Sequence, residues 1–243
     1  MEQYYHIAGL NVTFETFGRT LEQAKAYRCQ PCEKVDIALE TAEIKRRREA
    51  LLNLYKDFTE DLAEYLATGM YFYQELLKFD GLRLHSSAVV ADGEAYLFTA
   101  KSGTGKSTHT GLWLQLFGQR AWMLNDDKPA LRLIDGRWYA FGTPWSGKHD
   151  ISRNIGVPLA GIAVLERGDE NEIEPFGGMA AIEALMRQMN RPKAAQSRVL
   201  LLKLMDKLIT QVPVWKLRCN MDPRAALVSY ETMSGKKFTE CEE

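Results

Sequence analysis

Ser102-Gly-Thr-Gly-Lys-Ser-Thr108, set between an apolar run at 95–99 and a stretch of helical character at 108–117, narrows the possible architectures of this chain more than any other segment. Glycines at 103 and 105 let backbone N–H groups approach an anion closely, at angles a β-carbon would obstruct. Lys106 then reaches the β- and γ-phosphates and the Ser107 hydroxyl ligates magnesium, while the helix that follows directs the positive end of its dipole at the anion. Ser102, Gly103, Thr104, Gly105, Lys106, Ser107 and Thr108 are therefore expected to cradle the phosphates of ATP, with Mg2+ at Ser107. The pattern G-x-x-x-x-G-K-[ST] is met except at its first position, which is Ala100.

A phosphate site of this kind also needs an acidic group at the end of a neighbouring strand to hold the metal. Trp122-Met-Leu-Asn-Asp126-Asp127 supplies two, about twenty residues beyond the loop. Adjacent carboxylates can divide the labour, one binding the ion while the other takes the proton of an acceptor as general base. Asn-Asp-Asp is also good chemistry for a plain strand-ending turn. His85, in Leu84-His-Ser-Ser-Ala-Val89, lies on the strand before the loop strand, where it would face the same pocket; alone, a histidine there is more often a hydrogen-bonded core residue.

The remaining sequence organises around this centre. Positions 3–16 and 35–39 read as strands of a small N-terminal sheet, and 42–79 as two helices or one broken near Thr59. Strands follow at 82–90 and 95–99, joined at Asp92-Gly93, and a second hairpin pairs 130–134 with 138–141 across Asp135-Gly136. Further strands are expected at 121–124, 161–165 and 212–217, and helices at 179–189, 195–210 and 223–232. The chain divides into an N-terminal α+β region, 1–80, and a catalytic portion, 81–243.

Thirty-one basic residues against thirty-two acidic ones leave a formal net charge of -1, which provides no field for gathering nucleic acid or an acidic membrane. The one dense basic cluster, Lys45-Arg-Arg-Arg48, is read as a solvated helix face. No stretch approaches the roughly 20 apolar residues that span a bilayer, so a cytoplasmic location and no membrane partner are expected. Four cysteines, at 29, 32, 219 and 241, fit a reducing compartment; Cys29-Gln-Pro-Cys32 has metal or redox spacing but lacks a second pair.

Three blocks in fixed order, Leu-His85-Ser-Ser-Ala, Ser-Gly-Thr-Gly-Lys106-Ser-Thr and Leu-Asn-Asp126-Asp127, resemble the catalytic domain of HPr kinase/phosphorylase and its relatives, the ATP-dependent phosphoenolpyruvate carboxykinases. The resemblance implies an α/β fold with that superfamily's mixed-sheet P-loop core and a small N-terminal α+β region. It implies a kinase using ATP and Mg2+, with Lys106, His85 and Asp126 catalytic, Asp126 as base, and Ser107 and Asp127 on the metal, the order of the two acids being reversible. HPr kinases are oligomeric, which implies a homo-oligomer here. The upstream lysine of the carboxykinases has no equivalent in Thr68-Gly-Met-Tyr-Phe-Tyr73, and the glycine-rich signature of HPr kinases is missing downstream. Gly142-Thr-Pro-Trp-Ser-Gly-Lys148 occupies comparable territory and is expected to form an acceptor loop, with Lys148 meeting a phosphate or carboxylate and Trp145 walling the pocket.

The acceptor is expected to be an alcohol: a serine or threonine hydroxyl of a peptide, protein or free amino acid, or a small polyol. Two other readings stand beside it, a nucleotide-binding regulator without chemistry and a carboxykinase-like lyase.

Overall fold

Residues 3–239 of the chain are described here from a computed structural model; Cys241 lies outside them. The chain opens with a hairpin, β1 (Tyr4–Ile7) and β2 (Leu10–Thr13), turned at Ala8 and Gly9, both at positive φ. A two-residue strand, β3 (Ile37–Ala38), adds in parallel to β2 and completes a three-stranded sheet. Between them lies a helix the sequence pattern did not announce, α1 (Gly18–Ala24). Seven residues are too few for an apolar period to emerge.

The long helical stretch is broken where expected. α2 (Thr41–Leu54) ends before Tyr55, and α3 (Glu60–Leu76) begins at Thr59, whose hydroxyl accepts the Leu62 N–H at 3.2 Å as an N-cap. The basic run on α2 is paired with acids: Arg46 and Arg47 with Glu43 at 2.6 and 2.7 Å, and Arg48 with Glu64 at 3.1 Å. α3 lays Ala67, Phe72 and Leu76 against Tyr5, Ile7 and Val12 of the small sheet, and the same apolar cluster takes in Ala130 and Trp145 from beyond residue 80.

A nine-stranded mixed sheet forms the rest. It contains β4 (Gly81–Arg83), β5 (Ser86–Ala91), β6 (Glu94–Thr99), β7 (Ala121–Asn125), β8 (Ala130–Ile134), β9 (Arg137–Phe141), β10 (Gly156–Arg167), β11 (Glu172–Pro175) and β12 (Val214–Cys219). Its main path runs β4-β8-β9-β10-β6-β5-β7, with β12 on β10 and β11 on β12. β10, at 12 residues, is the junction: its start pairs antiparallel with β9, and its later part runs parallel to both β6 and β12. The period of two sends Ala88, Val90, Ala95 and Leu97 to one face, where α5 (Gly178–Arg187) and α6 (Ala195–Gln211) cover them. Val89, Ala91, Tyr96 and Phe98 face the other side, beneath α4 (Lys106–Phe117) and α7 (Arg224–Ser234). The architecture is thus mixed α/β, with helices on both faces of a curled sheet.

Two expectations need correction. The run at 82–90 is not one strand: β4 pairs with β8 while β5 pairs with β6 and β7. The chain leaves the ladder at Leu84 and His85, where the His85 N–H goes to Gln188 O at 3.0 Å and the Ser86 N–H to Asp127 O at 3.2 Å. The strand at 161–165 is the middle of a longer one, because Pro158 and the glycines hid its alternation. Both Asp-Gly turns form as expected, with positive φ at Asp92, Gly93, Asp135 and Gly136.

Candidate functional site

The loop between β6 and α4 holds its shape through conformations reserved for glycine. Gly103 has φ +79 and Gly105 φ +124, and a Cβ built on either meets nothing within 4 Å. Backbone angle, not crowding, is therefore what demands glycine there. Ala100 is not among the positive-φ residues, which is why alanine serves where the phosphate-loop pattern has glycine. Inside the loop the Thr104 N–H and hydroxyl both donate to Lys101 O, at 3.2 and 2.8 Å. α4 begins at Lys106, so its first N–H groups have no partner within the helix.

Lys106 is buried, and its ammonium donates to Ala100 O at 3.2 Å. Burial lowers its pKa, while the charges of Asp127 and Asp126 act to raise it. Loop lysine and twin acids therefore share one electrostatic neighbourhood. Ser102, Ser107 and Thr108 are exposed, and Thr104 is half-buried.

The acids are aimed by a fault in the sheet. β7 pairs with β5 through Ala88↔Asn125 and then Val89↔Met123, so Leu124 is an extra, bulged residue. Its carbonyl is taken by the Arg153 N–H at 3.0 Å, and the Asp126 N–H is taken by Ile151 O at 3.1 Å. This junction requires Gly142, because a Cβ there would stand 1.9 Å from Arg153 O and 2.9 Å from Leu124 O. Asn125 then shapes the turn: its Oδ1 accepts from the N–H groups of Asp127 (3.1 Å) and Lys128 (2.8 Å), and its Nδ2 donates to Thr143 O at 3.0 Å.

The two carboxylates end in different surroundings. Asp126 Oδ1 accepts from the Ser87 hydroxyl at 2.6 Å. Asp127 Oδ1 lies 3.2 Å from His85 Nε2, and its Oδ2 is held by the Lys128 ammonium. Burial pushes the Asp127 pKa up, but the His85 hydrogen bond and the Lys128 charge more than offset it, leaving the carboxyl lowered to about 2. Lys128 also stands over the Tyr65 ring at 4.8 Å, and burial lowers its own pKa.

The 142–148 loop comes to the same place. Gly147, at φ +82, packs against Asp127, and its N–H donates to the Tyr65 hydroxyl at 3.0 Å. The Gly147 carbonyl is held by Arg19 and, at 3.0 Å, by Gln23 Nε2, both from α1. Lys148 is exposed beside this contact. Trp145, expected to wall a pocket, is instead fully buried: it stacks on Phe72 with ring centroids 4.8 Å apart and donates to the Thr68 hydroxyl at 3.2 Å. A large aromatic with one polar handle gains more from a satisfied core position than from solvent.

Cys29 and Cys32 are free thiols in a loop away from these residues, and Cys219 is a buried thiol. Among the described residues no group of three or more His, Cys, Asp and Glu side chains is arranged to hold a metal unaided. A magnesium ion here would take Asp127 and the Ser107 hydroxyl and complete its shell from phosphate oxygens and water, which is how that ion is normally held beside a polyphosphate. Ser87, Asn125, Lys128, Tyr65 and Arg19 were not singled out by sequence reasoning. Only Asn125 left a signal, in the turn chemistry of Asn-Asp-Asp; Lys128 simply follows Asp127 in the chain, and Ser87, Tyr65 and Arg19 arrive through tertiary pairing.

Among the described residues no helix is long and apolar enough to cross a membrane. No curated protein matches the chain. Among solved structures, the HPr(Ser) kinase/phosphatase from Coxiella burnetii is similar over 63% of this chain and 93% of that one, at 14% identity and a TM-score of 0.34, too loose to bear on chemistry. The profile of the family described as SynChlorMet cassette protein ScmC matches residues 52–225, which takes in the glycine loop, His85, both acids and the 142–148 loop. By that match, over most of its length, the chain belongs to the ScmC family.

Proposed function

We propose that the protein is a phosphotransferase that uses ATP and Mg2+ to phosphorylate an alcohol, on a phosphate-loop core formed by β6, the 100–106 loop and α4. What supports this reading is that His85 pairs with Asp127 at 3.2 Å while its carbonyl accepts from the hydroxyl of Thr99, the last residue of β6 before the glycine loop, at 2.8 Å, and that the charges of Asp127 and Asp126 act on Lys106. A pure binder of nucleotide has no use for a second, separately oriented carboxylate.

ATP would supply the phosphoryl group, and Mg2+ would neutralise the charge that develops on its oxygens. Lys106 would add its ammonium charge beside those oxygens. Asp127, kept ionised by His85 and Lys128, suits a metal ligand better than a proton acceptor. Asp126 is anchored through one oxygen by Ser87, which orients it to receive the acceptor hydroxyl's proton. Residues 1–80 buttress the portion 81–243 in this reading, since Arg19 and Gln23 fix the Gly147 carbonyl beside Asp127. Lys148, exposed at that loop, is the acceptor-side cation. The acceptor class is a serine or threonine hydroxyl, free or in a peptide or protein, or a small polyol.

The test is incubation with MgATP and a panel of such alcohols, following phosphorylated product and free phosphate separately. Lys106→Ala and Asp126→Asn should each abolish transfer while circular dichroism stays unchanged. Full transfer by either variant removes this mechanism.

A further inference from the structure

Arg167 ends β10 at the rim of the glycine loop and belongs to none of the sequence motifs. Its Nη2 donates to Gly103 O at 2.6 Å and its Nε to Thr104 O at 3.2 Å. The side chain is exposed, and no described carboxylate pairs with it. A guanidinium that spends two donors on neighbouring carbonyls of one loop is a strap, since its planar fork fixes both peptide groups at once.

Peptide planarity makes this matter for the anion site. In a trans peptide the C=O and the following N–H point in opposite directions. Holding the Thr104 carbonyl toward Arg167 therefore turns the Gly105 N–H to the far side. The Gly103–Thr104 peptide is fixed from both ends, by Arg167 on its oxygen and by Lys101 O on its N–H at 3.2 Å. A β-carbon on Gly103 or Gly105 would meet nothing within 4 Å, so side-chain crowding does not hold these two positions. Two flexible glycines would otherwise sample many conformations, and ordering them on binding would cost affinity.

We propose that Arg167 is a positioning residue of the phosphate loop, holding the Gly103 and Thr104 carbonyls outward so that the Gly105 amide ahead of Lys106 is preset for a polyphosphate. This rests on reading the loop as the nucleotide site, so two measurements are needed. The first uses no ligand: hydrogen–deuterium exchange of the segment 100–107 in wild type, Arg167→Ala and Arg167→Lys. Faster exchange confined to that segment in Arg167→Ala, with the melting temperature within about a degree of wild type, is expected. Unchanged exchange overturns the strap whatever the loop binds.

The second is calorimetry with magnesium and inorganic tripolyphosphate. Arg167→Ala should bind about tenfold more weakly than wild type, the scale of a charge-assisted hydrogen bond. Arg167→Lys should recover part of the loss. Equal affinity of Arg167→Ala and wild type overturns the proposal, and a wild type that binds neither tripolyphosphate nor MgATP overturns it together with the nucleotide reading.

Discussion

Gly147 lies against Asp127 so closely that a β-carbon on the glycine would stand 2.9 Å from the aspartate's own. The contact brings the 142–148 loop onto the acid pair, and it exists only because residue 147 has no side chain and sits at φ +82. Gly147→Ala should cost about 1–2 kcal/mol for the left-handed backbone and push Asp127 off His85. We expect phosphoryl transfer to fall far more than stability does. Parallel assays of transfer and urea unfolding check this; equal proportional losses would point to a merely structural glycine.

Lys106 should be a residue whose removal helps the unliganded protein and harms the liganded one. Its ammonium is buried with one carbonyl partner, and burial disfavours its charge. Lys106→Met should leave the ligand-free stability unchanged or raised by up to about 1 kcal/mol, and should lack the stabilisation by MgATP that the proposed function predicts for wild type. Differential scanning fluorimetry with and without nucleotide reads both effects.

Trp145 belongs to the core that joins the small sheet, α3 and the 142–148 loop. Trp145→Ala should destabilise by about 3–5 kcal/mol, the range for emptying a large aromatic site. Gly69→Ala should also destabilise, because its β-carbon would meet Trp145 Cδ1 at 2.9 Å. Denaturant melts test both. Unaltered stability in Trp145→Ala would return the indole to the pocket wall.

His109 gives the fold a dependence on pH. It is buried beneath α7 with Ser229 Oγ at 3.0 Å, and burial lowers its pKa from 6.5 to about 4. The folded state thus binds fewer protons than the unfolded one between these values. Its contribution is fully present above about pH 6.5 and is lost as pH falls toward 4, by about 2 kcal/mol between pH 7 and 5. Urea melts at the two pH values should show this loss in wild type and a smaller one in His109→Gln.

Much of the architecture was legible because it rests on local rules. Asp92-Gly93 and Asp135-Gly136 turn hairpins since both residues tolerate positive φ, and Thr59 starts a helix since its hydroxyl caps it. The division of 82–90 was not legible, because β4 and β5 are equally apolar and only their different partners separate them. Trp145 was misplaced for a related reason: an aromatic in a polar loop carries no mark of the cluster it will join.

Residue type and spacing were enough to mark the two glycines of the loop at 103 and 105, the lysine and hydroxyl that follow them, and twin acids at a strand end. Which way those acids point came from the folded chain, through the bulge at Leu124, the Asn125 turn and the close approach of Gly142 and Gly147. The fold alone also brought His85 and Ser87 to them, and Arg19 to the Gly147 carbonyl beside them. The physical reason is that backbone angles are set by a residue and its neighbours, whereas the orientation and charge of a carboxylate are set by groups distant in the chain that packing brings alongside it.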